Sequence, residues 1–171
     1  MRRRLRRRIS PTYIVLLAIA ALVAGRWALH LRGPSPPESL SAGSFEVRRV
    51  VDGDTLLLAN DARVRLIGVD TPELARAGEP AQPFAVEAKL FTERFVSSGR
   101  VQLEMDRQRQ DRYGRFLAYV HVDEVMLNEA LLRAGLARAR TAFHYSDAKK
   151  RLFREAEQSA RDEGLGIWGD R

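Results

Sequence analysis

Short apolar runs separated by turn-forming residues dominate the chain after residue 44. Runs of this length, bounded by Gly, Asn or Asp, are typical of β-strands. We therefore predict strands over residues 45–51, 55–59, 63–69, 101–105, 116–122 and 125–127. Asn60-Asp61 supplies a hairpin turn between the second and third strands. The charged stretch from 106 to 115 is predicted to be a loop.

Three other segments have the periodicity of amphipathic helices. The first places apolar residues at i, i+4, i+7 and i+11 starting from Phe84. The second is predicted to run from a capping residue, Asn128, to residue 135. The third covers residues 147–163, and Trp168 is expected to fold back as a plug. Few strands, short turns and helices at intervals indicate a β-rich α+β domain, a small closed or partly closed barrel with helical supports.

The first 44 residues have a different pattern. Residues 1–12 are basic and are followed by a hydrophobic stretch at 13–31, about 28 Å long as a helix. That length just crosses a ~30 Å hydrocarbon core. Residues 32–44 are rich in Pro and Ser and are predicted to be a semi-extended linker. The folded domain is therefore expected to occupy residues 45–171.

The hydrophobic stretch has three interpretations. As a signal-anchor preceded by six arginines, it keeps the N-terminus cytoplasmic and the domain outside, on a single-pass membrane protein. As a signal peptide cut near Val23-Ala24-Gly25, it leaves a secreted or periplasmic domain. The arginine cluster argues against a buried core helix. We favour the retained anchor, and the first two interpretations both place the domain outside the cytoplasm.

The distribution of charge changes how the basic composition is interpreted. The chain has a net charge of +7, but residues 1–43 carry eight arginines and one acid, so the domain from residue 44 onward is neutral. The high isoelectric point is therefore not a sign of nucleic-acid binding by the domain. The chain has no cysteine, which excludes disulfides, thiolate zinc sites and thiol nucleophiles.

Acidic residues follow two of the predicted strands. Asp54 lies after the first strand, and Asp70 and Glu73 end the third, which also contains Arg65. If these strands pair in one sheet, the carboxylates converge and require a cation, and oxygen ligands suit a hard ion such as Ca²⁺. The planar guanidinium of an arginine fits a phosphate. Taken singly, the acids are ordinary turn residues; together with the arginine they indicate a site that attacks phosphodiesters.

The same residues belong to longer motifs, which are Asp52-Gly53-Asp54-Thr55, Arg65-Leu66-Ile67-Gly68-Val69-Asp70-Thr71-Pro72-Glu73, Asp111-Arg112-Tyr113-Gly114-Arg115-Phe116-Leu117-Ala118-Tyr119 and Asn128-Glu129-Ala130-Leu131. In type and order they resemble the staphylococcal nuclease (thermonuclease) family over residues 45–168. The resemblance implies an OB-fold barrel of five strands with about three helices. It also implies a Ca²⁺-dependent endo- or exonuclease that cuts DNA and RNA with little sequence specificity and leaves 3′-phosphate ends.

The resemblance also implies a role for each of six site residues: metal ligands Asp54, Asp70 and, through its carbonyl, Thr71; a water-activating base, Glu73; and phosphate-binding Arg65 and Arg115. The family's pair of tyrosines near the nucleotide is replaced by Thr141 and Phe143. Phe143 is still expected to stack on a base or sugar. Tyr113 either contacts substrate or packs the loop that carries Arg115, and Arg112 either pairs with Asp111 or contacts phosphate.

Two rival functions remain at this point. One is a non-catalytic OB-fold module that binds nucleic acid or protein, and the other is a structural surface domain. The retained acids argue against a pure binder, because carboxylates next to a polyanion serve no purpose there. The expected partners are DNA and RNA, preferably single-stranded, and the protein is expected to be a monomer.

Overall fold

The computed structural model describes residues 18–24, 26 and 36–169. The chain divides into two compact units at residue 35. In the first unit, residues 18–24 and 26 are helical. The rest of the predicted span 13–31 lies outside the described residues. Within the part of the chain that is described, no helix combines the length and apolarity needed to cross a membrane.

In the second unit the described residues form eight strands and three α-helices. The strands are β1 (Gly43–Asp52), β2 (Thr55–Leu58), β3 (Arg63–Leu66), β4 (Val69–Asp70), β5 (Arg100–Gln110), β6 (Phe116–Val122), β7 (Val125–Met126) and β8 (Arg138–Ala139). The helices are α1 (Ala85–Phe95), α2 (Leu127–Arg133) and α3 (Asp147–Asp162), followed by a 3₁₀ turn at Gly166–Trp168.

Five strands form a closed barrel. The sheet order is β3-β2-β1-β5-β6, with β7 added beyond β6, and β3 and β6 pair in parallel to close it. The remaining neighbours are antiparallel. β4 and β8 form a separate two-stranded sheet. This architecture confirms the predicted OB-type barrel with helical supports.

Alternating side chains fill the barrel interior. The inward positions of four strands are at most 2% exposed, and they are Leu56, Leu58, Val64, Leu66, Val101, Leu103, Ala118 and Val120. A strand directs successive side chains to opposite faces, so the positions between them face outward. Burial of such a side chain contributes about 1.5–3 kcal/mol. The site described below lies on the outer face of β3.

The helices cover the barrel through mainly small residues. In α1 the fully buried positions are Ala85, Ala88 and Thr92, while the predicted phenylalanine stripe is only partly buried against the core. In α3 they are Phe153, Ala156 and Ala160. The predicted plug is half-buried: the Trp168 ring lies between two guanidinium groups, 4.3 Å from Arg138 and 3.8 Å from Arg161.

Several boundaries differ from the prediction, and three of these differences are described here. β5 continues to Gln110 through residues that were expected to form a loop, because its end pairs with Phe116 across a bulge. β3 stops at Leu66, because the turn at Ile67-Gly68 separates it from β4. Helix α2 already begins at Leu127, and Asn128 is not its cap.

Asn128 instead links two parts of the barrel. Its side chain is fully buried, accepts a hydrogen bond from the Val120 N–H at 3.0 Å and donates one to the Ile67 carbonyl at 2.8 Å. Both backbone groups depend on this amide. It thereby holds the turn between β3 and β4, the strands that carry Arg65 and Asp70.

Replacing Asn128 with Ala should lower the free energy of unfolding by about 2–4 kcal/mol, because two buried backbone groups lose their partner. Urea denaturation monitored by tryptophan fluorescence measures the change. The matched control is Asn60→Ala, which removes a single part-buried hydrogen bond, donated by the Ala62 N–H, and should cost about 1 kcal/mol. Equal losses in the two variants would refute the linking role.

Candidate active site

The turn between β1 and β2 positions Asp54. The Asp54 N–H donates to Asp52 Oδ1 at 3.4 Å, which shows that Asp52 closes the turn. Between them, Gly53 packs so closely that an added Cβ would lie 2.8 Å from the side chains of Ala88 and Thr71. Only glycine lets the turn approach α1 at this distance. Asp54 is consequently carried into the protein and is 4% exposed.

Asp54 is held by neighbouring hydrogen-bond donors. The Thr71 N–H donates to Asp54 Oδ2 at 2.9 Å, and the Thr55 hydroxyl donates to Oδ1 at 3.2 Å. The backbone of Thr71, predicted to contribute its carbonyl to a metal, thus lies beside Asp54. This contact connects the β1–β2 turn to the end of β4.

Arg65 lies between two carboxylates. Its Nη1 contacts Asp54 Oδ1, and its Nη2 donates to Asp70 Oδ1 at 2.8 Å. The side chain of Arg65 is 15% exposed. Burial lowers the pKa of Arg65 from its ordinary value, and the negative charge of Asp70 partly opposes that shift. Asp54, Arg65 and Asp70 thus form one connected cluster, whereas Glu73, the third carboxylate that was predicted to converge with them, does not join it.

Arg65 and Arg115 line the same cavity. The cavity, of about 510 Å³, has lining residues that include Arg65, Asp70, Arg115, Arg112, Tyr113 and Phe143. Asp111 Oδ2 accepts a hydrogen bond from Arg115 Nε at 2.7 Å. Within the described residues, this leaves both Nη groups of Arg115 without a hydrogen bond. The positive charge of Arg115 also reaches Arg65 and helps to lower its pKa.

Asp111 holds the loop that carries Arg115. Burial acts to raise the pKa of Asp111, but hydrogen bonds from the Arg115 side chain and from the Arg115 and Tyr113 N–H groups outweigh it and lower the pKa. Of the two alternatives predicted for Arg112, the pair with Asp111 is not among the ion pairs of the described residues, because that carboxylate binds Arg115. Arg112 donates instead to the Tyr113 hydroxyl at 2.6 Å.

The predicted substrate contacts line the cavity. Tyr113 is 68% exposed and Phe143 is 59% exposed. Tyr113 also packs: its ring lies 4.8 Å from the guanidinium of Arg112 and 5.6 Å from that of Arg115. Its two predicted roles are therefore compatible.

Glu73 lies apart from this cluster. Its Oε2 accepts a hydrogen bond from Arg76 Nη2 at 2.6 Å, its N–H donates to Gln82 Oε1, and it is not among the residues that line the cavity. The pair with Arg76 is exposed, and such pairs contribute about 0–1 kcal/mol.

Sequence reasoning missed two residues of the cavity wall. Arg140 Nε lies 3.5 Å from Asp70 Oδ2, and its N–H donates to the Gly68 carbonyl. Asp106 Oδ2 accepts hydrogen bonds from the Tyr119 hydroxyl at 2.5 Å and the Ser146 N–H at 2.8 Å. Asp106 lies in the stretch that was predicted as a loop, so no strand pattern pointed to it.

Asp106 should make stability depend on pH. Burial acts to raise its pKa, but the bonds from Tyr119 and Ser146 outweigh burial and lower the pKa below its ordinary value of 3.8. A depressed carboxyl pKa adds stability above the ordinary value, which is lost as the pH falls through the folded-state pKa. Asp106→Asn should therefore lower the unfolding free energy by about 1–3 kcal/mol at neutral pH.

The difference between wild type and Asp106→Asn should shrink below about pH 4, as urea titrations at several pH values would measure. Asp123→Asn, at an exposed turn, is the matched control and should match wild type throughout. A destabilisation by Asp106→Asn that stays constant down to acid pH would contradict the ionic role.

The donor chemistry near Arg65 suits a hard cation only in part. Asp54 and Asp70 present carboxylate oxygens to one guanidinium. Among residues 18–24, 26 and 36–169, no group of three or more His, Asp or Glu side chains is arranged to hold a metal ion. A divalent ion here would take two carboxylates and complete its shell with carbonyl groups and water, as Mg²⁺ and Ca²⁺ commonly do.

The structure thus combines a closed OB-type barrel with two arginines at one cavity, one of which is bound by two carboxylates. Residues 63–170 match the family model described as Staphylococcal nuclease homologue, and this chain belongs to that family. The chain is therefore a nuclease, a hydrolase that acts on phosphodiester bonds.

Several named proteins are similar to it. The thermonuclease of Staphylococcus intermedius is 40% identical over 162 residues, 92% of this chain and 96% of that protein. The thermonuclease of Staphylococcus hyicus is 36% identical over 166 residues, 93% of this chain and 97% of that protein. Endonuclease YncB of Bacillus subtilis is 40% identical over 126 residues, 70% of this chain and 59% of that protein.

Proposed function

We propose that this nuclease is Ca²⁺-dependent, cuts both DNA and RNA with little sequence specificity, and leaves 3′-phosphate ends. The observation that carries the proposal is the arrangement around the cavity: Arg65 is bound by Asp54 and Asp70, and Arg115 faces it with unbonded Nη groups. Two guanidiniums match the oxygens of one phosphate, and two carboxylates match one hard cation.

The proposed cation would be held by Asp54, Asp70 and the Thr71 carbonyl. When bound, it would neutralise phosphate charge and help to orient water. A cation on these carboxylates competes with Arg65 for the same oxygens. Arg65 would then be available to the phosphate, together with Arg115, and each guanidinium is expected to lower the barrier by a few kcal/mol.

Glu73 is assigned the role of general base. It takes a proton from the water whose oxygen attacks phosphorus, while the bond from phosphorus to the 5′-oxygen breaks. The phosphate stays on the 3′-oxygen, and the departing 5′-oxygen takes up a proton. Because Glu73 is paired only with exposed Arg76, a small free energy suffices to turn it toward the cavity.

Single-stranded or frayed substrates are proposed, because an open cavity with exposed Tyr113 and Phe143 can stack unpaired bases. Phosphate contacts carry no sequence information, which favours weak specificity. We also propose that the protein acts outside the cytoplasm as a monomer, either anchored by residues 13–31 or released by cleavage.

The test is cleavage of 5′-labelled single-stranded DNA and RNA by the full chain, first with Ca²⁺ and then with excess EDTA. Both substrates should be cut only with Ca²⁺, at many sequences, and the products should need phosphatase before a polymerase extends them. EDTA-insensitive binding without cutting would favour a binding module, and products with free 3′-hydroxyls would refute the proposed polarity of cleavage.

A further inference from the structure

Arg63 lies on the same strand face as Arg65. Its neighbours Ala62 and Val64 are fully buried, so Arg63 faces outward, as Arg65 does two positions on. Two residues of a strand separate side chains on one face by about 7 Å. Arg63 is exposed and lies just outside the lining of the cavity. The catalytic face of β3 therefore continues beyond the cavity with another guanidinium.

The seam between β3 and β6 brings the same position next to Arg115. Val64 pairs with Phe116, and Arg65 with Leu117, in parallel register. If this register is continued one residue beyond the start of β6, it brings Arg63 next to Arg115. Arg115 directly precedes β6, and its neighbour Phe116 is buried, so the side chain of Arg115 lies on the outer face of the barrel. Arg63 thus adjoins both proposed phosphate-binding arginines.

The outward row continues across β2 to β1. Leu57 pairs with Arg63 on one side and with Arg49 on the other. Leu57 is half-buried between two fully buried leucines, and Arg49 is exposed. We name Arg49, Leu57 and Arg63 the outer row. It presents two cations flanking an apolar side chain on the outer surface of the barrel.

Both cations of the outer row are available to a ligand. Within the described residues, neither Arg49 nor Arg63 forms an ion pair with an acidic side chain. The neighbouring Arg48 differs, since it is paired with Asp61. The domain as a whole is neutral, so a row of unpaired arginines next to the cavity is a local concentration of positive charge.

We propose that the outer row is an extended phosphate-binding track, which holds the backbone of a single-stranded nucleic acid as it leaves the catalytic cavity. Arg63 and Arg49 bind successive phosphates, and Leu57 contacts a sugar or base between them. The inference rests on the proposed single-stranded substrate. It assigns a binding role to residues that lie outside the catalytic cavity and that the reaction itself does not require.

The test uses the full chain and the double variant R49Q/R63Q. Fluorescence anisotropy in EDTA gives the Kd for a labelled 24-nucleotide oligo(dT). The variant should bind about tenfold more weakly, and the slope of log Kd against log salt should be shallower by about 1.4, because two single-strand phosphate contacts are lost. In Ca²⁺, kcat/KM for the dinucleotide d(TpT) should stay within about twofold of wild type, since that substrate ends within the cavity.

The matched control is R94Q/R151Q, which removes the same charge from exposed positions on α1 and α3. The proposal would be overturned if R49Q/R63Q bound oligo(dT) with the Kd of wild type. It would also be overturned if R49Q/R63Q and R94Q/R151Q weakened oligo(dT) binding equally. A fall in kcat/KM for d(TpT) as large as the loss of oligo(dT) binding in R49Q/R63Q would also overturn it. So would an R49Q/R63Q variant that binds anionic phospholipid vesicles more weakly but binds oligo(dT) as wild type does. If the wild-type protein binds oligo(dT) but never cuts it, the proposed function is wrong. The comparison of Kd values between the two double variants still tests whether the outer row binds phosphates.

Discussion

Replacing Glu73 with Gln should lower kcat by about 10²- to 10⁴-fold while Ca²⁺ binding is retained. Glutamine keeps the shape of the side chain but cannot accept the proton of the attacking water. Glu73 lies three residues beyond Asp70, and its partner is Arg76 rather than a buried group. Loss of the Glu73 carboxylate should therefore leave the fold and the cluster around Arg65 unchanged. Single-turnover cleavage and calcium calorimetry measure the two quantities separately.

Glu79→Gln is the matched control, because it neutralises another exposed glutamate of the same loop. It should cut at the wild-type rate. A Glu73→Gln variant with wild-type kcat would remove Glu73 from the mechanism. Loss of cutting together with loss of the native circular dichroism spectrum would instead identify Glu73 as a structural acid.

Replacing Arg115 with Lys should lower kcat by about 10²-fold and change KM much less. The reason is geometric. Asp111 accepts a hydrogen bond from Arg115 Nε, so the two Nη groups are left to form a planar fork. This fork can bind a phosphate whose negative charge grows in the transition state. A lysine keeps the charge but has no fork. Steady-state kinetics on single-stranded DNA gives both constants.

Arg112→Lys is the control for this variant, because Arg112 lines the same cavity and donates to the Tyr113 hydroxyl. Its kcat should stay within about fivefold of wild type. If Arg115→Lys raises KM and leaves kcat unchanged, Arg115 binds ground state and transition state equally, and its proposed role is wrong.

Much of the barrel could be predicted because its strands are apolar runs bounded by turn-forming residues. The runs that contain Leu56, Leu58, Val64 and Leu66 are visible in the sequence, and these side chains are buried in the barrel. The end of β5 could not be predicted in this way. Residues 106–110 are polar on both faces, and they are strand only because β6 pairs with them.

The site could be predicted to the extent that it depends on residue type. Asp54, Arg65 and Asp70 meet as expected, because β1, β2 and β3 are sequential hairpins. The contacts that hold the site join distant segments and leave no local signal. Asn128 bonding Ile67 spans 61 residues, and Asp106 bonding Ser146 spans 40.

The position of the Glu73 side chain also could not be predicted from the sequence. Its motif places it near Asp70, but the direction of an exposed side chain depends on which neighbours compete for it. Arg76 lies three residues further along the same loop, and its guanidinium binds the Glu73 carboxylate in this structure. Arg140 was missed for the opposite reason, since its approach to Asp70 depends on the pairing of β4 with β8.

The most direct test of the proposed Ca²⁺-dependent cleavage is the rate of single-stranded DNA cleavage against Ca²⁺ concentration for wild type and Asp70→Asn, with Asp123→Asn as the control. We predict a saturable dependence that EDTA abolishes and an unchanged curve for Asp123→Asn. Asp70→Asn should need at least about tenfold more Ca²⁺, because one of two carboxylates is lost. Cleavage that persists in EDTA, or an Asp70→Asn curve that overlays wild type, would contradict it.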